Sequence, residues 1–193
     1  MKSLNQYIKE KLIINKDYVD NMIVVKSFDE LRKIIEDRYD KLGPGTEQKP
    51  IDFNDIDVSN LDSFYDKNAG KFGKGLFENI QFKYIDISDW DVSNVKSTLN
   101  MFNGCVKLES VGNISKWDVS NVTDMRFMFR GCKKFNHDLS KWNVSKVTNI
   151  QYMFAGCHSF NQDLSNWNVS KVRYRTGIFD GCPIKNEYKP KFK

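Results

Sequence analysis

From Leu139 onward, apolar residues fall at Leu139, Trp142, Val144, Val147, Ile150, Met153, Phe154, Cys157 and Phe160. Trp142, Asn143 and Val144 alternate in–out–in, the period of a strand. Ile150, Met153, Phe154 and Cys157 fall at i, i+3, i+4 and i+7, the spacing of one face of a short helix. Thr148 is placed to cap that helix and Gly156 to end it. The stretch therefore predicts a strand, a bend, a short helix and a return.

The same pattern recurs. Copies start at Trp90, Trp117, Trp142 and Trp167, in steps of 27, 25 and 25 residues. Each runs on to Met101-Phe102, Met128-Phe129, Met153-Phe154 or Ile178-Phe179, and then to Gly104-Cys105, Gly131-Cys132, Gly156-Cys157 or Gly181-Cys182. An earlier copy, "IDVSNL" at Ile56–Leu61, lacks the Trp and the Gly-Cys and runs into "KNAGKFGKG". A period in the twenties means a stacked array, because one copy cannot bury its own apolar face. The predicted fold is an α/β solenoid resembling a leucine-rich repeat. It has short parallel strands on one face, short helices on the other, and an N-terminal helical cap. It divides into residues 1–16, a leader or amphipathic helix; 17–50, cap and linker; 51–182, repeats; and 183–193, a basic tail.

The run W-[DN]-V-S-[NK]-V followed by Phe and Gly-Cys resembles the BspA-type leucine-rich repeats of bacterial surface proteins and mycoplasma lipoproteins. The resemblance covers about residues 51–182. It implies a curved binding solenoid and brings no catalytic residues with it.

Each ladder of repeated residues has a core reading. The four Trp stand at the first inward position of the predicted strand, so they are expected to stack inside rather than to hold sugars. The four Cys are expected to be buried free thiols, since no Cys-x-x-Cys or repeating His accompanies them. His137 and His158 sit at different offsets, with no nucleophile beside either, and are expected at the surface. In "FNHD" and "FNQD", Asn and Asp suit tight turns; one Asp per copy is too few carboxylates for calcium. No metal and no cofactor are expected.

The outward positions beside the strand are the candidate site. Before each Trp stand Asp89, Lys116, Lys141 and Asn166; after it, Asp91, Asp118, Asn143 and Asn168. They would form a polar concave stripe of mixed charge, a surface that repeat proteins use for binding. The Ser column (Ser93, Ser120, Ser145, Ser170) is expected to hydrogen-bond the bend.

"SFDELRKIIEDRYDKLGPG" is a punctuated helix. Ser27 and Glu30 make a capping box, Phe28, Leu31, Ile34, Ile35 and Leu42 line one face, and Gly43-Pro44 stops it. It would cover the first open copy. After the last Gly-Cys, the prolines and lysines of "PIKNEYKPKFK" would end the sheet and discourage edge pairing.

The formal net charge is +5. Residues 1–16 carry four lysines against one glutamate, and residues 183–193 carry the same balance. Charge collected at the two ends, not on a folded face, argues against nucleic acid as partner. No apolar run of membrane-spanning length and no secretory signal appear, so the chain is expected to be cytoplasmic, without a membrane partner.

Leu4, Tyr7, Ile8 and Leu12 suit a short amphipathic helix. "MKSLNQYIKE" also resembles the head-targeting leader of internal proteins in T-even-like phages, whose Ile/Leu-x-Glu cleavage site would fall here on Ile8 and Glu10. No phosphate loop, His pair, nucleophile elbow or carboxylate pair appears, so an enzyme is not expected. The expected function is a non-enzymatic module that binds a protein. The alternatives are phage cargo cut after Glu10 and a cell-surface adhesin.

Overall fold

The computed structural model describes residues 22–69 and 73–192. The capped helix is α1, Phe28–Leu42, preceded by strand β1, Ile23–Val24. The Ser27 side chain accepts from the Glu30 N–H at 3.2 Å, and Glu30 reaches back to the Lys26 N–H at 2.9 Å. Gly43, at φ +72°, ends the helix with its N–H on the Tyr39 carbonyl at 2.8 Å. Leu31 and Ile35 are fully buried. Ile34 is half-buried, but Leu42 is 60 % exposed, so the apolar face stops one turn earlier than the sequence predicts.

Beyond α1, strands are two residues long: β2 (Ile51–Asp52), β3 (Ile56–Asp57), β4 (Tyr65–Asp66), β5 (Lys74–Gly75) and β6 (Ile85–Asp86). β1 pairs in parallel with β3, and β2 with β6; β4 and β5 form an antiparallel pair. A column of parallel bridges then joins copy to copy, Ser63 to Ser97, Ser97 to Asp124, Asp124 to Asn149, and Asn149 to Tyr174, with one further parallel bridge outside it from Tyr84 to Ser110. This ladder lies seven residues beyond each Trp. The strand predicted at Trp142–Val144 is not formed: the Trp142 N–H turns back to the Leu139 carbonyl at 3.1 Å.

The short helices predicted within the repeats are also absent; Ile150–Gly156 is a chain of turns. The reason lies in two alternating sets of backbone bonds. The N–H groups of Ile150, Tyr152, Phe154 and Gly156 donate forward to the carbonyls of Tyr174, Thr176, Ile178 and Asp180, at 3.0, 2.9, 2.9 and 2.7 Å. Those of Met153, Ala155 and Cys157 donate back three residues, to Ile150, Tyr152 and Phe154. A helix would spend every N–H inside the segment and leave the neighbouring copy unpaired. Alternation requires left-handed residues at the turns, found at Tyr152 (φ 55°) and Gly156 (φ +73°). Each is the third residue of a turn closed by an i to i+3 bond, where a type II turn needs positive φ. Thr148 is no helix cap; its hydroxyl donates to the Thr123 carbonyl at 3.1 Å.

The inner side is aromatic. Trp90, Trp117 and Trp142 stack at centroid distances of 6.5 and 6.4 Å, and all four Trp are buried. Phe77, Phe102, Phe129, Phe154 and Phe179 form a second stack at 5.1 to 5.8 Å. Phe77 starts that stack because "LFENI" (76–80) is the counterpart of "MFNGC" (101–105), 25 residues earlier. Asn79, at φ 62°, takes the glycine's place and Ile80 the cysteine's. The earlier copy has thus kept its Phe and its turn without a Gly-Cys pair. Asn tolerates this conformation better than most residues with a side chain.

Candidate functional site

The eight predicted stripe residues occupy one corner of the stack, not a strand. All are exposed except Asp91, which is half-buried. Four of them have a local task. The Ser93 and Ser120 N–H groups each donate to Asp91 and Asp118 Oδ1 at 3.0 Å, and those of Ser145 and Ser170 to Asn143 and Asn168 Oδ1 at 3.2 Å. The Asp/Asn and Ser columns are therefore Asx turns, made by the serine backbone. Asp89, Lys116, Lys141 and Asn166 stand exposed beside them. Asp138 and Asp163 of the "FNHD" and "FNQD" runs close the same turn with Ser140 and Ser165, both at 2.8 Å. Hydrogen bonding by the Ser140 and Ser165 side chains, and after it by these backbone N–H groups, holds the two carboxyls below their ordinary range.

A second surface was not signalled by the repeat pattern. It lies ten residues beyond each Trp, where the left-handed turn residue is Asn100, Phe127, Tyr152 or Gly177. Glycine and asparagine suit that backbone; phenylalanine and tyrosine do not. Yet Phe127 and Tyr152 sit there half-buried and stacked, at 5.5 Å and 4°. Tyr152 lies so close over Gly177 that a Cβ there would meet its ring at 2.3 Å. Around the pair is a groove of about 620 Å3 lined also by Tyr65, Glu78, Arg126 and Arg130. Arg126 is clamped by both oxygens of Asp124, with its closest contact at 2.7 Å. Arg130 is exposed and approaches the Phe127 ring at 5.8 Å. Two aromatic residues at one offset in adjacent copies were the available sign.

A third groove, of about 650 Å3, holds Tyr84, Glu109, Lys134 and His137. Glu109 accepts from the Tyr84 hydroxyl and from Lys134, both at 2.6 Å. The carboxylate pushes the Tyr84 phenol up to about 12, and its two donors hold Glu109 low. His137 is half-buried against Phe135, not on the open surface as expected, and burial lowers its pKa. His158 is exposed.

The cysteines are free, and three are fully buried. The thiols of Cys105, Cys132 and Cys157 donate to the carbonyls of Phe77, Phe102 and Phe129 at 3.0, 3.0 and 2.9 Å. Burial raises all four, Cys105 to about 12. Every resolved shift on a thiol or phenol thus favours its protonated, unreactive form. Among the described residues, no three His, Cys, Asp or Glu gather to hold a metal ion. No helix among them is long and apolar enough to cross a membrane. The leader expectation on Ile8 and Glu10 lies outside the described residues.

The chain belongs to the family described as "Mycoplasma protein of unknown function, DUF285", whose model matches residues 71–191, more than half of its length. No curated protein and no solved structure matches the chain.

Proposed function

We propose that the chain is a non-enzymatic repeat module, a solenoid allied to the BspA type, that binds another protein through the face carrying Phe127 and Tyr152. The observation that carries this reading is conformational. A non-glycine residue held in a sparsely populated backbone region costs on the order of 1–3 kcal/mol. The fold accepts Asn100 or Gly177 at the same turn, so backbone geometry does not call for an aromatic ring. Rings set side by side at a groove, with arginines at its edge, have the composition of a protein-binding hot spot.

The test is capture from an extract of the source cells by the immobilised full chain. A protein retained by wild type and lost with Phe127→Asn/Tyr152→Asn supports the reading, provided Asp118→Lys/Asn143→Lys still retains it. Equal retention by the aromatic variant overturns it. Loss only with Asp118→Lys/Asn143→Lys moves the site to the corner column.

A further inference from the structure

The backbone bonding makes the two ends of the stack chemically opposite. In each inner copy, four alternating N–H groups point to the next copy: Met125, Phe127, Phe129 and Gly131, then Ile150, Tyr152, Phe154 and Gly156. The equivalent groups in the last copy belong to Arg175, Gly177, Phe179 and Gly181. None of these four N–H groups has an acceptor among the described residues. Among the described residues the carbonyl of Arg173 also has no donor, although its counterparts Lys96, Thr123 and Thr148 each accept two N–H bonds from the following copy.

The opposite end is covered. Arg32 of α1 is 9 % exposed and donates to the carbonyls of Gly75, Leu76 and Glu78, at 3.1, 2.5 and 3.5 Å. Leu76 and Glu78 are the counterparts of Met101 and Asn103, which accept from the preceding copy. The guanidinium takes the place of a preceding rung, and β1 pairs alongside at Ile56. Among the described residues, Arg32 thus occupies the carbonyls that a second copy of the chain would need for head-to-tail stacking.

We propose that the edge formed by Arg173–Gly181 is a second docking surface, which takes an extended acidic segment of a partner protein as a further parallel rung. Such a segment supplies backbone carbonyls to the four donors, the β-augmentation mode of recognition. Charge selects it. Residues 171–192 carry Lys171, Arg173, Arg175, Lys185, Lys189 and Lys191 against Asp180 and Glu187. The aligned peptide units also turn their positive ends outward here. Tyr174, 58 % exposed, stands at the start of the edge as an apolar anchor. Basic residues that discourage pairing with another basic edge favour an acidic strand.

The test uses the full chain, isotope-labelled, titrated with an eight-residue peptide of alternating Glu and Thr. The amides of Arg175, Gly177, Phe179 and Gly181 are expected to shift and to exchange at least tenfold more slowly at saturation. Arg173→Glu/Arg175→Glu should weaken binding at least tenfold, and Lys171→Glu should weaken it less, in the same direction. Phe127→Asn, one copy further back from the edge, should leave it unchanged, which separates this surface from the groove proposed above. No binding, binding without protection of those four amides, or equal protection by inorganic phosphate or polyuridylic acid overturns the proposal.

Discussion

The indole N–H of Trp142 donates to the carbonyl of Ile114 at 2.9 Å, and that carbonyl also accepts the backbone N–H of Trp117 at 3.1 Å. The same bond joins Trp90 to Phe53, Trp117 to Ile87 and Trp167 to Leu139. One carbonyl thus closes its own bend and fastens the next copy to it. This gives the Trp column a purpose beyond filling space, since a buried indole N–H needs a partner. Trp142→Phe keeps an apolar ring but removes the bond and part of the volume. It should lower unfolding free energy by about 2–3 kcal/mol, the sum of a cavity and a lost buried hydrogen bond. Trp167→Phe, with fewer copies packed beyond it, should cost less. Urea unfolding of both variants checks the order; equal, negligible losses would mean the bond contributes nothing.

Arg32 is the counterpart of this device at the first copy. Arg32→Met preserves the stem and removes the donors from the carbonyls of Gly75 and Leu76. Buried acceptors left without partners cost about 1–3 kcal/mol each. The variant should lose at least 2 kcal/mol by the same scale, and hydrogen exchange should quicken in α1 before it quickens around Phe154. Arg32→Lys should recover only part, because an ammonium cannot span carbonyls that a planar fork reaches together. Uniform exchange along the whole chain would show that Arg32 does not act as a local cap.

The sequence made the period, the buried Trp, Phe and Cys columns, and the Ser27–Glu30 cap legible, because each is a one-dimensional spacing of apolar or capping residues. It misplaced strand and helix within the copy for a physical reason. The apolar spacing of Ile150, Met153, Phe154 and Cys157 fits a helix, but it equally fits turns whose alternate N–H groups bond to a neighbour. Which one forms depends on φ at Tyr152, and a tyrosine gives no local sign of a left-handed backbone. The same silence hid the Phe127–Tyr152 face. The corner column of Asp118 and Asn143 was visible as a pattern, and its Asx bonds give that pattern a structural cause.

The thiol ladder predicts a graded reactivity. Cys105, Cys132 and Cys157 are buried and bonded to carbonyls, whereas Cys182 is only partly buried and its bond, to Phe160, is longer at 3.3 Å. A thiolate is the reactive form, so burial that raises a thiol suppresses alkylation. Iodoacetamide at pH 8 should label Cys182 alone in the native protein and all four after denaturation. Mass spectrometry of the peptides reads this directly. Native labelling of Cys132 would show that the stack opens between copies.

His137 should give the fold a pH dependence near neutrality. Burial against Phe135 lowers its pKa from the ordinary 6.5, with Glu47, Asp86, Glu109 and Lys134 lining the same groove. The unfolded chain therefore takes up a proton at higher pH than the folded one. By linkage, the stability due to neutral His137 is present above about pH 6.5 and is lost as pH falls from there towards the folded value. The lowered carboxyls of Asp86 and Glu109 act further down, through the range below their ordinary values of 3.8 and 4.5. Between pH 7.5 and 5.5, the melting temperature of wild type should therefore fall, and that of His137→Gln should fall less. Parallel curves for the two proteins would assign the dependence to another group.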